Sequence, residues 1–193
     1  MPRVKQFNEN EVLTRAMNLF WRNGYSATSV EDLVQYLGIN RASLYSTFGD
    51  KEHLFKKSLA LYRKNNTTGL KEFFKSESNV KEGFLKLFQM SIEESVQDKD
   101  QKGCFVVNTT TELIPGDETI NAALEENKRI FTSLFYEYLK SGELQDQIRK
   151  GKDLQSIATL LFIIYNGLKV VSKIKPDKEE LNASIEEALK LLD

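Results

Sequence analysis

Ser29-Val30-Glu31-Asp32-Leu33-Val34-Gln35-Tyr36-Leu37-Gly38-Ile39-Asn40-Arg41-Ala42-Ser43-Leu44-Tyr45-Ser46-Thr47-Phe48 reads as two short helices around a tight turn. Thr28 with Glu31 and Ser29 with Asp32 offer overlapping N-caps for the first helix. Val30, Leu33, Val34 and Leu37 recur at three- and four-residue spacing and make its inward face. Gly38 closes it, because glycine takes the positive φ that a tight turn needs. Asn40 is the N-cap of a second helix that runs from Arg41 to Phe48 and stops at Gly49. Ile39, Leu44 and Phe48 are expected inside, and Ala42 is small enough for close helix approach. Arg41, Ser43, Tyr45 and Thr47 are expected to face outward. This is the minimal layout for placing a second helix in a DNA major groove, although many three-helix cores contain it without touching DNA.

The flanking sequence is helical as well. An Asn8–Glu11 capping pair opens a helix over residues 8–23, ended by Gly24. Asp50 caps a fourth helix that is expected to end near residue 65. Further helices are expected at about 79–97, 104–114, 117–141, 153–174 and 177–192. The prolines stand at positions 2, 115 and 176, leaving long proline-free intervals, and no convincing strand-like alternation appears. Pro115-Gly116-Asp117 and Pro176-Asp177 read as turns that also supply caps, and 98–103 as a polar loop. The fold class is therefore all-α with about nine helices. An N-terminal helix-turn-helix domain is expected over 5–65 and a C-terminal helical domain over 66–193.

Composition bounds the function. Apolar content of 40% and charged content of 28% are those of an ordinary globular protein. The net charge of −1 hides an asymmetry. Residues 1–65 hold ten Lys/Arg against six Asp/Glu, whereas the remainder holds seventeen against twenty-two. A basic first part suits an anionic partner; chance drift of surface charge gives the same numbers. The single cysteine, Cys104, rules out an internal disulfide and fits a reducing compartment. No N-terminal apolar core suggests a signal peptide, and the greasiest run, 157–165, is short of a membrane span of roughly 20 residues. A cytoplasmic protein without a membrane partner is expected. One histidine and one cysteine are too few for a His/Cys metal site or a His-based triad, and no Gly-rich phosphate loop occurs. No enzyme activity, metal or cofactor is expected.

Residues 8–59 resemble the DNA-binding domain of the TetR family of repressors. The resemblance rests on Phe20-x-x-x-Gly24-Tyr25, on Thr28-Ser29-Val30, and on Gly38-Ile39-x-x-x-Ser43-Leu44-Tyr45-x-x-Phe48-x-x-Lys51. Ala16, Leu19, Leu33, Leu37, Leu54 and Phe55 match as well. The resemblance implies that Thr28 and Ser29 donate to phosphates and that Asn40, Arg41 and Ser43 read base edges. It implies that Tyr45 meets a phosphate, sugar or thymine methyl, and that Lys51 pairs with a phosphate at a helix N-terminus. The sequence departs from the family at Thr47, where many members carry His or Tyr, so only a shorter hydroxyl contact is offered there. The implied partners are a double-stranded DNA operator, a second copy of the chain and an unidentified small-molecule effector.

For the second part, the resemblance implies an effector pocket and a dimer of the last two helices. The stretch 157–171 is apolar around most of its circumference and must be covered on several sides. Ile157, Leu161, Ile164 and Leu168, with Leu181, Ile185 and Leu189, are the expected dimer interface; an intrachain core is the alternative. Phe84, Phe88, Cys104, Phe105, Asn108, Phe131, Phe135 and Tyr165 are the candidate pocket residues; aromatics at this spacing also suit plain core. Cys104 at a helix N-terminus is a candidate thiol sensor of oxidants or electrophiles, with an inert buried thiol as the alternative. An effector-free DNA-binding factor of the same fold is a further alternative.

Overall fold

The computed structural model describes residues 7–174 and 177–193. The expectations that fall on residues 1–6 and on Pro176 lie outside the described residues. The helices are α1 (Glu9–Asn23), α2 (Val30–Leu37), α3 (Arg41–Phe48), α4 (Lys51–Ser76), α5 (Val80–Gln97), α6 (Phe105–Leu113), α7 (Glu118–Leu144), α8 (Leu154–Val171) and α9 (Lys178–Leu189). A short 3-10 turn, Lys190–Leu192, follows α9, and no strand occurs among the described residues.

The caps explain why the helices begin where they do. The side chains of Asn8, Asn40, Asp50, Asp117 and Asp177 each accept backbone N–H groups of the following turn. Of the two overlapping caps before α2, Ser29 with Asp32 forms the reciprocal capping box. Gly38 ends α2 in the left-handed region at φ 69°. The largest departure from expectation is α4, which runs eleven residues past position 65. Asn65, Asn66 and Gly69 are poor helix formers, but tertiary packing overrides propensity. Leu59 and Tyr62 bury on one side of that stretch and Leu70 and Phe74 on the other.

Two hydrophobic clusters share α4. One joins α1, α2, α3 and the first half of α4 around Phe20, Leu33, Leu44 and Phe55, all fully buried. It also takes Phe105 from α6 and Ile120 and Leu124 from α7. The other holds Phe84, Phe88, Phe135, Leu139 and Leu161 with the second half of α4. Helices α7 and α8 pack on each other, as do α5 and α9.

This packing places the residues of the expected dimer face largely inside the chain. Leu161, Leu168, Ile185 and Leu189 are buried in the chain's own core, while Ile157, Ile164 and Leu181 are half-buried against it. The apolar residues that α8 leaves uncovered are instead Leu160, Ile163 and Val170, with Val171 at its end and Ile174 beyond it. Helix α8 is also long and apolar enough to cross a membrane by length and composition, which the shorter run 157–165 did not suggest.

Candidate functional site

Helix α3 carries the candidate DNA-reading face, and its exposed residues are not the alternating set. Arg41, Ala42, Tyr45 and Ser46 are exposed, whereas Ser43 and Thr47 are half-buried. The Thr47 Oγ1 is enclosed without a hydrogen-bond partner. The reason is the helical period: successive residues rotate by about 100°, so positions 41, 42, 45 and 46 share one side. Residues two apart point nearly opposite ways. Ala42 is therefore on the outer face rather than between the helices, and Ser46 joins the face although the sequence reading passed over it.

Each polar group on this face has an intrachain partner. Arg41 Nη1 lies 2.8 Å from Glu31 Oε1, Nη2 is 3.4 Å from the Tyr45 hydroxyl, and the guanidinium sits 5.7 Å from the centre of the Tyr45 ring. The Asn40 side-chain oxygen accepts the Ser43 backbone N–H at 2.8 Å, leaving its amide N–H groups for a ligand. Ser29 Oγ donates to Asp32. Both Arg41 and Glu31 are solvent-exposed, so their ion pair is weak and readily exchanged for a phosphate or base.

Two expected phosphate contacts are placed differently. Thr28 is fully buried, and its Oγ1 donates to Gly24 O at 2.7 Å, so its hydroxyl closes the α1–α2 loop instead of facing outward. Lys51 Nζ donates to Tyr25 O at 2.9 Å and Thr28 O at 2.8 Å and stands 4.2 Å from the centre of the Tyr25 ring. Two of its three donors are thus used in holding the same loop. His53 is exposed, and its Nδ1 lies 2.9 Å from Asp50 Oδ1.

The α1–α2 loop is also held from the other side. Glu112, near the end of α6, accepts the Tyr25 N–H at 3.0 Å and the Ser26 N–H at 2.7 Å. Gly24 makes this possible: with φ at 84°, a Cβ there would stand 2.8 Å from Glu112 Oε2. Trp21 Nε1 donates to Gly103 O at 3.0 Å, just before α6. Helix α6 is therefore fastened to the helix-turn-helix at both ends. Glu112→Ala is expected to cost about 1 kcal/mol of stability, as loss of a helix cap does, and to speed amide exchange at Tyr25 and Ser26. Unchanged exchange at those two amides would show that Glu112 does not hold the loop.

Behind α6 lies a cavity of about 470 Å³, a usual size for a small-molecule site. Of the expected pocket residues, Cys104, Phe131 and Tyr165 line it. Phe84, Phe88 and Phe135 do not; they are fully buried in the core. Phe105 belongs to the cluster of the N-terminal helices. Asn108 is tied elsewhere, donating to Lys102 O and accepting from Lys173. The sequence reading missed Trp21, Tyr62, Asn127 and Lys169, which also line the cavity. The Tyr62 hydroxyl donates to Cys104 Sγ at 3.7 Å, and burial pushes that phenol well above its ordinary pKa.

A helix-turn-helix with an exposed second helix, fastened to a helical body that encloses a cavity, defines a DNA-binding transcriptional regulator. The model of the bacterial regulatory proteins of the tetR family matches residues 12–57. An uncharacterized HTH-type transcriptional regulator of Bacillus subtilis, YezE, is 29% identical over the whole of both chains. The HTH-type transcriptional repressor ComR of Escherichia coli is 29% identical over 93% of this chain and 86% of its own. The solved structure of the TetR family regulator CifR, a cysteine mutant complexed with 26-bp operator DNA, superposes with a TM-score of 0.88. It is 28% identical and covers 99% of this chain and 100% of its own. Residues 12–57 thus match the tetR family's DNA-binding model, and the whole chain is similar to TetR family transcriptional regulators.

Proposed function

We propose that the protein is a dimeric repressor that leaves its operator when a small molecule fills the cavity behind α6. The observation that carries this reading is the pair of fastenings from α6, Glu112 to the α1–α2 loop and Gly103 to Trp21. A ligand beside Cys104 touches the start of the same helix whose end holds the DNA-reading domain. An effector favouring a different helix position lowers DNA affinity by linkage. The name of ComR as a repressor and the operator complex of CifR support the direction. Residues 5–65 are the DNA-reading unit in this scheme and 66–193 the sensing and pairing unit. The change of hydrophobic cluster along α4 between Tyr62 and Leu70 supports that division.

The dimer face in this proposal is the outer stripe of α8. Leu160, Ile163, Gly167, Val170 and Ile174 recur at alternating three- and four-residue spacing, all exposed. Nothing lies within 4 Å of where a Cβ of Gly167 would be, so a second helix can approach closely there. A twofold axis through this stripe makes the interface self-complementary and sets two α3 helices beside successive major grooves. The same stripe accounts for the membrane-span composition of α8, so the protein is read as cytoplasmic. No reaction is assigned to it, and His53 is tied to Asp50 on the surface.

On DNA, Arg41, Tyr45, Ser46, Ser29 and the amide of Asn40 make the contacts in this reading. Arg41→Ala is expected to weaken specific operator binding by about 1–3 kcal/mol and to blur one base position. Fluorescence anisotropy with the chain's own upstream region and single-base variants measures both. Wild-type affinity with unchanged base preference would sink the orientation given to α3. The same titration, repeated with compounds that bind the purified protein, tests release. Intact operator binding in the presence of a bound compound would overturn the effector reading.

A further inference from the structure

The cavity combines aromatic walls with an unusual set of donors. Trp21, Tyr62, Phe131 and Tyr165 come from four different helices and supply flat faces and edges. Among them, Trp21 and Tyr62 meet edge-to-face at 5.0 Å, and Phe131 and Tyr165 are stacked at 6.4 Å. Asn127, from the middle of α7, lines the same cavity and is only 6% exposed. Its carboxamide makes no hydrogen bond within the described residues and is open to a bound ligand group. Lys169 from α8 is a second lining donor, its side chain 11% exposed.

The third donor is the N-terminus of α6. Cys104 occupies the N-cap position without making a side-chain cap bond. The Phe105 N–H meets the Tyr62 hydroxyl, the other N–H groups of the first turn have no side-chain cap from Cys104, and Gly103, Cys104 and Val106 line the cavity beside them.

The balance of charge decides between ligand classes. Lys169 Nζ lies 3.2 Å from Glu94 Oε2, and Glu94 also lines the cavity, but the Glu94 side chain is 69% exposed. Solvent screens that carboxylate far more than it screens the enclosed ammonium. Burial acts to lower the pKa of Lys169, yet Tyr165 and Glu94 more than offset it, and the group stands above its ordinary value. It is charged at neutral pH. Tyr165 is itself pushed upward, chiefly by burial, and stays neutral. The cavity is thus lined by one ammonium and one carboxylate, of which the ammonium is the enclosed charge and the carboxylate the water-exposed one.

We propose that the cavity takes a small aromatic carboxylate, its ring between the aromatic walls and its oxygens on Lys169, Asn127 and the first turn of α6. The proposal rests on the effector reading above and names the ligand class for that site. A cationic ligand is disfavoured by Lys169 and by the helix end. A neutral aromatic gains the walls but leaves Lys169 only its water-exposed partner Glu94.

Isothermal titration calorimetry with three matched probes tests this: 2-naphthoate, 2-naphthamide and 2-naphthylmethylammonium. The carboxylate is expected to bind about tenfold or more tightly than the amide, as a charge-assisted bond does over a neutral one, and the ammonium most weakly. Lys169→Gln is expected to remove the preference for the carboxylate over the amide, whereas Lys169→Arg keeps it. Asn127→Leu is expected to weaken both oxygen-bearing probes. Equal or tighter binding of the ammonium, an undiminished preference in Lys169→Gln, or binding of none of the three would overturn the ligand class. Operator titrations keep the two levels apart. Release by the ammonium alone would overturn the class and leave the effector reading standing. A carboxylate that binds with the expected pattern but never moves operator affinity would overturn the effector reading and leave the class standing.

Discussion

Ile163→Asp is expected to yield a folded monomer whose operator affinity falls by about 10²–10⁴-fold. Ile163 is 60% exposed, so the substitution removes little from the chain's own core, and far-UV circular dichroism should match the wild type. In a symmetric dimer the same change sets two carboxylates close to the twofold axis within an apolar stripe. Neither has a cationic partner on the outer face of α8, where Leu160, Gly167 and Val170 are the neighbours. Burying unpaired charge there outweighs the apolar area the interface gains. Each freed monomer still carries an intact α3, so half-site contacts survive and only the gain from linking two of them disappears. Sedimentation velocity and anisotropy on full and half operators read the two effects separately. A dimer that persists with Asp at 163 would place the interface elsewhere. The matched control is Leu161→Ala, at a position the sequence had assigned to the same interface. Leu161 is fully buried in the intrachain core, so this change lowers stability rather than the association constant.

The contrast between Leu161 and Ile163 shows where sequence pattern stops being informative. Ile157, Leu161, Ile164 and Leu168 do share one side of α8, as their spacing implied. Leu160, Ile163, Gly167 and Val170 share another, with equally regular spacing. A helix apolar on both sides does not say which side meets its own chain. That choice depends on where α7 and α5 come to lie, a tertiary fact. The helix starts were legible for the opposite reason. A cap is a local hydrogen bond between residues two or three apart, and Asn8, Ser29, Asn40, Asp50, Asp117 and Asp177 all make theirs. The end of α4 was missed because poor helix formers at 65–69 are outvoted by Tyr62, Leu70 and Phe74.

The candidate site was legible in part, for similar reasons. Arg41 and Tyr45 stand four residues apart and face solvent together, as a helix requires. Ser43 and Thr47 were placed with them by alternation, the period of a strand. In the cavity, aromatics drew attention because they are scarce, yet Phe84, Phe88 and Phe135 are packing. Asn127 and Lys169 looked like ordinary polar positions of long helices. Only the convergence of α7, α8 and the uncapped start of α6 around one space distinguishes them.

Phe105→Ala is expected to destabilise the whole chain by about 3–5 kcal/mol, the usual cost of emptying a buried phenylalanine site. Phe105 is the first residue of α6 and is 1% exposed, but its neighbours belong to the N-terminal half. Its ring meets Phe55 at 5.5 Å and Tyr62 at 5.6 Å, both edge-to-face. Phe55 in turn meets Phe20 at 5.1 Å and Tyr25 at 4.9 Å. A single aromatic network thus runs from the start of α6 to the loop that Glu112 and Lys51 hold. Truncating Phe105 loses transfer free energy, leaves a void that rigid rings fill poorly, and removes two ring pairs worth about 0.5–1.5 kcal/mol each beyond their area. Equilibrium urea denaturation measures the cost, and a loss below about 1 kcal/mol would contradict the packing described, since buried Phe→Ala changes lie well above it. A cycle with Phe55→Ala separates the shared contact from the rest: neighbours in one network are expected to be non-additive by about 0.5–3 kcal/mol. The same residue bears on signalling. Cys104, which lines the cavity, precedes Phe105 directly, so a ligand that shifts Cys104 moves this ring against Phe55. Were the two halves coupled through Glu112 alone, Phe105→Leu, which keeps most of the volume but none of the ring geometry, would preserve ligand-driven release. Coupling through the aromatic network instead predicts that Phe105→Leu binds both operator and ligand and responds weakly.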